Sequence, residues 1–411
     1  MTLKEIRPED FKAYLDQVDQ ASFMQSLAIA DLIAKRSQKV VFLALEEEDQ
    51  IKAASIVYTN PVAGGLRMDV YYGPIYQDPA YQVPFYKAMK AYAKEHGVID
   101  LVIRPYMTYQ NFTSDGQADG PEARDFLEAI KDLGFSHDGL VTGYPGGIPD
   151  WFYVKDLSGL TLDSLTKSYT KRGQSLLKKA SSFGIQVRKL AREELEIFKD
   201  VTNATSERRD YSDRSLDYYQ ELYDSFGSDA EFMVASINFK DYLDNLETDQ
   251  AKLGKKIKQL QEALKETPNH TKRANQLREF TSQYEAFQVR KDEAKEWLTQ
   301  YGDKEVILAA SLFLYTDKEA TYFYSGSYTE FNKFYAPALL QDHVMKEALK
   351  RGLTYYNFLG IMGVFDGSDG VLRFKQNFNG YVVRKIGVFH YYPKPLKRHL
   401  IHLIKKLTGR L

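Results

Sequence analysis

Val306-Ile307-Leu308-Ala309-Ala310-Ser311-Leu312-Phe313-Leu314-Tyr315, then Thr316-Asp317-Lys318-Glu319, then Ala320-Thr321-Tyr322-Phe323-Tyr324 is the stretch whose reading sets the fold. Two apolar runs rich in β-branched and aromatic residues flank four polar ones, the pattern of a strand hairpin. A helical pattern over 336–350 follows, and then a strand, Tyr355-Tyr356-Asn357-Phe358. The same order stands earlier in the chain. Val40 to Leu45 and Ala54 to Tyr58 flank the charged turn Glu46 to Gln50. A strand from Met68 to Tyr72 stops at Gly73-Pro74, a helix covers 84–96, and Asp100 to Arg104 forms a strand that Pro105 ends. Two short amphipathic helices across 11–37 open this first unit. In the second, a basic helix from Leu165 to Phe183, the strand Ile185 to Arg188, helices across 192–201 and 215–226, and the strand Glu231 to Ala235 precede the hairpin. Repetition of hairpin, helix and strand predicts two like-folded α/β (α+β) domains. A chain of 411 residues with 44% hydrophobic content has enough apolar side chains for two cores.

Between these strands lies a different periodicity. Leu243, Leu246, Gln250, Leu253, Ile257, Leu260 and Leu264 step by three and four. Thr267-Pro268-Asn269-His270 turns the chain, and Leu277, Phe280, Tyr284, Phe287, Lys291, Ala294 and Leu298 return. This predicts an antiparallel helical coiled-coil hairpin inserted over 241–300, with arms projecting about 40 Å. Its far half, from Lys252 to Arg278, holds eight Lys or Arg residues against Glu262 and Glu266. Such a face is either an ordinary solvated one or a contact for RNA phosphate.

Several function classes fall away on composition. The absence of Cys removes disulfides, thiolate metal sites and cysteine nucleophiles. The seven His residues show no metal-ligand spacing, so no metal is expected. Gly143-Tyr144-Pro145-Gly146-Gly147 lacks the lysine and the strand-to-helix setting of a nucleotide loop and reads as a turn. The start alternates charged and apolar residues, unlike a signal peptide, and no uncharged apolar run approaches the roughly 20 residues of a membrane span. Net charge is −1, so polyanions would be drawn by local patches and no DNA partner is expected.

Toward the C-terminus, Tyr356-Asn357-Phe358-Leu359-Gly360-Ile361 leads through a glycine-rich stretch to Gly370, and then to Leu372-Arg373-Phe374-Lys375-Gln376-Asn377-Phe378-Asn379-Gly380. This is a strand end and a loop permitting close backbone approach, with a Lys and an Arg beside aromatic anchors, suited to holding an anion. The run resembles the closing signature of the FemABX family of peptidoglycan aminoacyltransferases. Phe23-Met24-Gln25-Ser26, Gly73-Pro74-Ile75, Pro105-Tyr106, Thr205-Ser206-Glu207-Arg208 and Arg214-Ser215-Leu216-Asp217-Tyr218-Tyr219 extend the resemblance over nearly the whole chain.

That resemblance implies two acetyltransferase-like (GNAT-type) domains, 1–155 and 156–384, the first completed by 385–411. Length and inserted hairpin look like the MurM/MurN branch, and Ala21 to Ser26 with Ile33 to Arg36 looks closer to MurN. The implied reaction is attack of a primary amine of a lipid-linked peptidoglycan precursor on the ester of an aminoacyl-tRNA. It delivers alanine or serine to an interpeptide crossbridge, with charged tRNA as co-substrate and no cofactor. Lys375 matches the family's active-site lysine, with Phe374 beside it. Arg208 matches an arginine contacting precursor phosphates, with Lys35 or Arg36 as partners, and Tyr106, Arg373 and Tyr219 complete the expected binding set. The rivals are an acyl coenzyme A-dependent N-acyltransferase, for which no pyrophosphate loop is visible, and a non-catalytic coiled-coil binding protein.

The tail carries eight Lys or Arg residues from Arg384 to Leu411 and no Asp or Glu. Leu396, Leu400, Leu403, Ile404 and Leu407 share one side of a short helix, leaving Lys397, Arg398, Lys405 and Lys406 to meet anionic headgroups. The expectation is a cytoplasmic protein held peripherally at the inner membrane face of a Gram-positive bacterium. The alternative is that this apolar side packs on the first domain.

Overall fold

A computed structural model describes residues 1–398. The chain forms two mixed sheets. The first runs, in spatial order, Thr2–Glu5, Lys39–Glu47, Gln50–Val62, Gly65–Tyr71, Val98–Arg104, Phe389–Tyr391 and Ser136–His137, with Ile75–Tyr76 paired to Gln50–Val62. The second runs Gln186–Lys189, Ala230–Asn238, Glu305–Tyr315, Ala320–Ser327, Tyr355–Ile361, Trp151–Asp156, Tyr381–Lys385 and Thr108–Phe112. In each, a hairpin is followed by a parallel pair that a helix connects. Gln82–Glu95 links Gly65–Tyr71 to Val98–Arg104, and Ala336–Lys350 links Ala320–Ser327 to Tyr355–Ile361. A parallel pair needs such a crossover, so the hairpin-helix-strand order becomes the same topology twice.

The two sheets exchange strands: the sequence reading included the return of 385–411 to the first domain, but not the passage of an N-terminal strand into the second. Thr108–Phe112, from the N-terminal part, closes the edge of the second sheet by pairing with Tyr381–Lys385, while Phe389–Tyr391 returns to pair with Val98–Arg104 in the first. Trp151–Asp156 lies wholly in the second sheet, so a boundary after residue 155 cuts a strand. The two crossings touch, because Ile386 N donates to Met107 O at 3.1 Å. Arg384 and Lys385, counted with the basic tail, are instead strand residues, and Lys385 is buried. The remainder of the expected tail helix, residues 399–411, lies outside the described residues.

Apolar faces explain the layers. Phe85, Tyr86 and Met89 set Gln82–Glu95 against Leu101 and Ile103. Leu340, Val344 and Met345 cover one face of the second sheet, and Phe198 and Val201 of the helix Leu195–Arg209 cover the other. That second cluster also takes Ile29 and Leu32 from the helix Leu27–Lys35, so an N-terminal helix is part of the C-terminal core. Each such buried side chain contributes about 1.5–3 kcal/mol, which fastens the two halves together.

The inserted segment is an antiparallel pair of helices, Phe239–Glu266 and Thr271–Tyr301, longer than the periodicity suggested. Asn238 ends a strand and caps the first helix through Lys240 N and Asp241 N, so no linker separates hairpin from sheet. Phe239 stacks on Trp297 at 5.5 Å. Farther out, buried Gln250 accepts from Lys291 Nζ at 3.1 Å, a polar layer of the kind that fixes register. The expected basic helix from Leu165 to Phe183 is broken instead, with Lys171–Ser181 starting afresh at Thr170, whose side chain caps Gly173 N.

Candidate active site

The parallel strands Ala320–Ser327 and Tyr355–Ile361 pair only at Ala320 with Tyr356 and Thr321 with Asn357, and then diverge. At the point of divergence the second strand bulges between Asn357 and Gly360. Leu359 there takes φ 57°, a left-handed backbone that costs a non-glycine residue about 1–3 kcal/mol. Two side chains hold it. Asn357 Oδ1 accepts from Leu359 N at 2.8 Å, and Lys375 Nζ donates to Gly360 O at 2.6 Å and Leu359 O at 3.2 Å. Among the described residues, the strand Ala320–Ser327 has no strand partner on this side beyond Thr321, an edge that a bound extended chain can pair with.

Lys375 is therefore not an exposed cation. It is 3% exposed, and burial pushes its pKa down to about 7, with Asp369 opposing the fall. Near neutral pH both of its forms are populated. Phe374, expected beside it in the chemistry, packs edge-on to Phe378 at 5.6 Å and presents no reacting atom. Arg373 remains exposed on the same short helix.

The rest of the closing signature is built for close contact. A Cβ on Gly173 would lie 2.0 Å from Asn377 O, and one on Gly380 would lie 2.1 Å from Val154 O. Backbones thus meet where side chains would hold them apart. Buried Lys155 donates to Asn379 O at 3.1 Å, and its pKa falls through burial to about 8.

Beside the bulge, where the two halves meet, lies a polar cluster that the sequence reading missed. Glu319 is 2% exposed and accepts from Phe23 N at 3.1 Å, Tyr106 Oη at 2.8 Å and Asn357 Nδ2 at 3.2 Å. Lys385 Nζ lies 3.7 Å from the centre of the Tyr106 ring and donates to Tyr106 O at 3.1 Å. Burial raises the Glu319 pKa and lowers that of Lys385 to about 8, so both are pushed toward their neutral forms. Glu319 was read as the end of a charged turn, and nothing local marks it as deep. Tyr106 is thus brought to the divergence point, with its hydroxyl on this carboxylate. Gln25, from the other early motif, is fully buried and ties Ile56 N, at 2.8 Å, to Tyr71 O, at 2.7 Å.

The binding residues divide. Arg208 lies in the last turn of Leu195–Arg209, a helix pressed onto the sheet because Gly326 has no side chain: a Cβ there would lie 2.4 Å from Val201 O. Its Nη1 donates to Ser327 O at 3.0 Å and Thr329 Oγ1 at 3.4 Å, both neutral acceptors, so its charge stays available. Arg36 pairs with Glu221 at 2.6 Å and lies 5.4 Å over Tyr218, a ring that Arg214 approaches at 5.2 Å. Lys35 is engaged with Asp31 at 2.6 Å and Ser225 at 3.1 Å, away from Arg208's partners. Tyr219 corrects the expectation. It is fully buried with its hydroxyl on Asp213 at 2.7 Å, and so braces the loop behind Arg214 and has no surface for a substrate.

A family model described as the FemAB family matches residues 6–406. The chain belongs to the FemAB family. Among curated FemAB relatives, the aminoacyltransferase FemA of Staphylococcus aureus (strain bovine RF122 / ET3-1) is 25% identical over 401 residues, covering 95% of this chain and 94% of the relative. FemA of strain MRSA252 matches to the same extent. The crystal structure of FemX superposes with a TM-score of 0.76 at 20% identity, covering 97% of this chain and 99% of that one, and so shares the fold. Among the described residues, no helix of this FemAB protein is long and apolar enough to cross a membrane.

Proposed function

We propose that this aminoacyltransferase carries an amino acid from aminoacyl-tRNA to an amine on the stem peptide of a lipid-linked peptidoglycan precursor. The observation that carries the reading is the bulge held by Lys375 at the mouth of the diverging strands, with Arg208 at the far end of one of them. The open edge of Ala320–Ser327 suits an extended peptide, and the arginine suits a phosphate. An amine attacks the ester carbonyl, the new C–N bond forms, and the C–O bond to the ribose breaks. The amine proton passes in net to the leaving hydroxyl. Such a reaction needs alignment and charge stabilisation more than a covalent intermediate. Lys375, neutral in part at pH 7, fixes the strand end against which the reactants align.

On this reading the chain falls near the MurM/MurN branch, and alanine or serine is the residue delivered. The test is mass analysis of lipid-linked precursor after incubation with purified protein and tRNA charged with alanine, serine or glycine. One added residue mass supports the reading and names the amino acid. Unchanged precursor with all three, in the presence of folded full-length protein, overturns it.

A further inference from the structure

At the root of the helical hairpin is a cavity of about 280 Å³, outside the site described above. Phe183, Tyr242 and Phe334, all buried, and Trp297 supply aromatic walls, with Phe183 and Phe334 centroids 5.0 Å apart. Three cations share the lining. The Arg290 guanidinium lies 5.0 Å from the Phe183 ring with Nε on Tyr242 Oη at 3.0 Å, and its Nη2 is buried without a hydrogen-bond partner. Lys333 lies 5.2 Å from the Trp297 ring and pairs with Glu293 at 2.7 Å. Lys179 is exposed at the rim, 5.1 Å from the Tyr335 ring. Glu293 is the one acid among these lining residues, so the cavity keeps an excess of positive charge.

A purely apolar guest would leave Lys179 and Arg290, which have no carboxylate partner among the described residues, uncompensated, and a bare anion would gain nothing from the ring surface around them. Flat rings beside cations fit a molecule that is planar and aromatic at one end and anionic at the other. The volume lies at the lower edge of ligand pockets, which start at about 300 Å³, and suits a single small unit. We infer that this cavity seats one nucleotide, its base against the Trp297 and Phe334 side and its phosphate toward Lys179, Lys333 and Arg290. The nucleotide belongs to an RNA strand or is free, and the seat stands whether or not the transfer reaction proposed above is correct.

The test uses the full chain and its own fluorescence, since it has two tryptophans, of which Trp297 lines the cavity. Adenosine monophosphate and a short oligoadenylate are titrated separately, with adenosine and inorganic phosphate as controls. Saturable quenching is expected with a phosphate-bearing probe, lost in W297F and weakened at least about fivefold in K179Q and in the K179Q/K333Q pair. Adenosine alone should bind more weakly, and raised salt should narrow the difference. A response only to the oligomer supports the seat with a strand as its source, and equal affinity for the monomer supports it with a free nucleotide. No saturable response to either probe overturns the inference. So does an unchanged affinity in K179Q/K333Q, or displacement by inorganic phosphate as effective as by the nucleotide.

Discussion

The Tyr106 hydroxyl donates to Glu319 Oε2 at 2.8 Å, joining the segment between the first sheet and the exchanged strand Thr108–Phe112 to the parallel pair of the second. Because Glu319 also satisfies Phe23 N and Asn357 Nδ2, one carboxyl group serves three donors from three parts of the chain. Glu319→Ala strands Phe23 N and the Tyr106 hydroxyl proton, while Asn357 Nδ2 keeps Tyr106 Oη at 3.3 Å, and each buried unsatisfied polar group costs about 1–3 kcal/mol. Glu319→Ala should therefore lower stability by about 3 kcal/mol or more, and Glu319→Gln, which keeps an acceptor, by much less. Urea midpoints of the two variants check this, and equal midpoints would show that the cluster is not what joins the halves.

Replacing Lys375 tests the bulge. Lys375→Ala removes both donors from Leu359 O and Gly360 O. It should slow single-turnover transfer at least about tenfold, equivalent to ~1.4 kcal/mol. Its own burial predicts the pH effect. A lysine held near 7 in the folded state and near 10.4 unfolded makes stability rise with pH across that window, because the unfolded chain there binds the extra proton. Lys375→Met should flatten this rise, measured as thermal midpoints from pH 7 to 10, and an unchanged slope would return the lysine to solvent.

His390 acts with the opposite sign. Burial alone lowers its pKa, but the Asp100 hydrogen bond at 3.0 Å and the charges of Asp100 and Asp138 outweigh it, and the net shift is upward. Stability from a raised histidine is fully present below its unfolded value of about 6.5 and is lost as pH rises through the folded one. His390→Gln should thus cost stability at pH 5.5 and little at pH 9. Paired thermal melts at the two values decide it.

How much of this was legible depended on how locally each feature is encoded. The helix Ala336–Lys350 was read to its ends because its apolar positions recur and Pro337 marks its first turn. The strands Thr108–Phe112 and Tyr381–Lys385 were missed because their pairing is with each other across the chain, which no local pattern contains. Lys385 was counted as a tail cation and Glu319 as a turn residue, since charge in a sequence says nothing of depth. Arg208 stood in a recognisable motif, while buried Tyr219 stood in an equally recognisable one and misled.

Arg208 gives a binding prediction. With neutral partners in the free protein, its guanidinium loses no carboxylate when it meets a phosphate. Arg208→Ala should weaken precursor affinity by about tenfold and leave the saturated rate within about twofold, as expected for a contact made equally in ground and transition states. Separate measurement of acceptor dissociation and of transfer at saturation distinguishes this from a role in chemistry.

The hairpin is anchored at its root. Phe239 and Trp297 pack on Phe331, so a deletion should spare them. Replacing 251–289 by a short linker should leave the two sheets folded by circular dichroism. If the exposed lysines Lys255, Lys256 and Lys258 touch RNA phosphate, affinity for charged tRNA should fall and its dependence on salt should become shallower. Equal affinity and slope would assign the arm to another partner.

The exchange of edge strands has a mechanical meaning. Each sheet borrows a strand from the far end of the chain, and the two crossings lie against one another through Ile386 N and Met107 O. A single crossing would serve as a hinge, whereas two that are bonded side by side resist bending, as a double strap does. The spacing of the halves is then set by the chain itself, and neither half can be excised, or swapped with that of a cousin, without tearing a strand from the other.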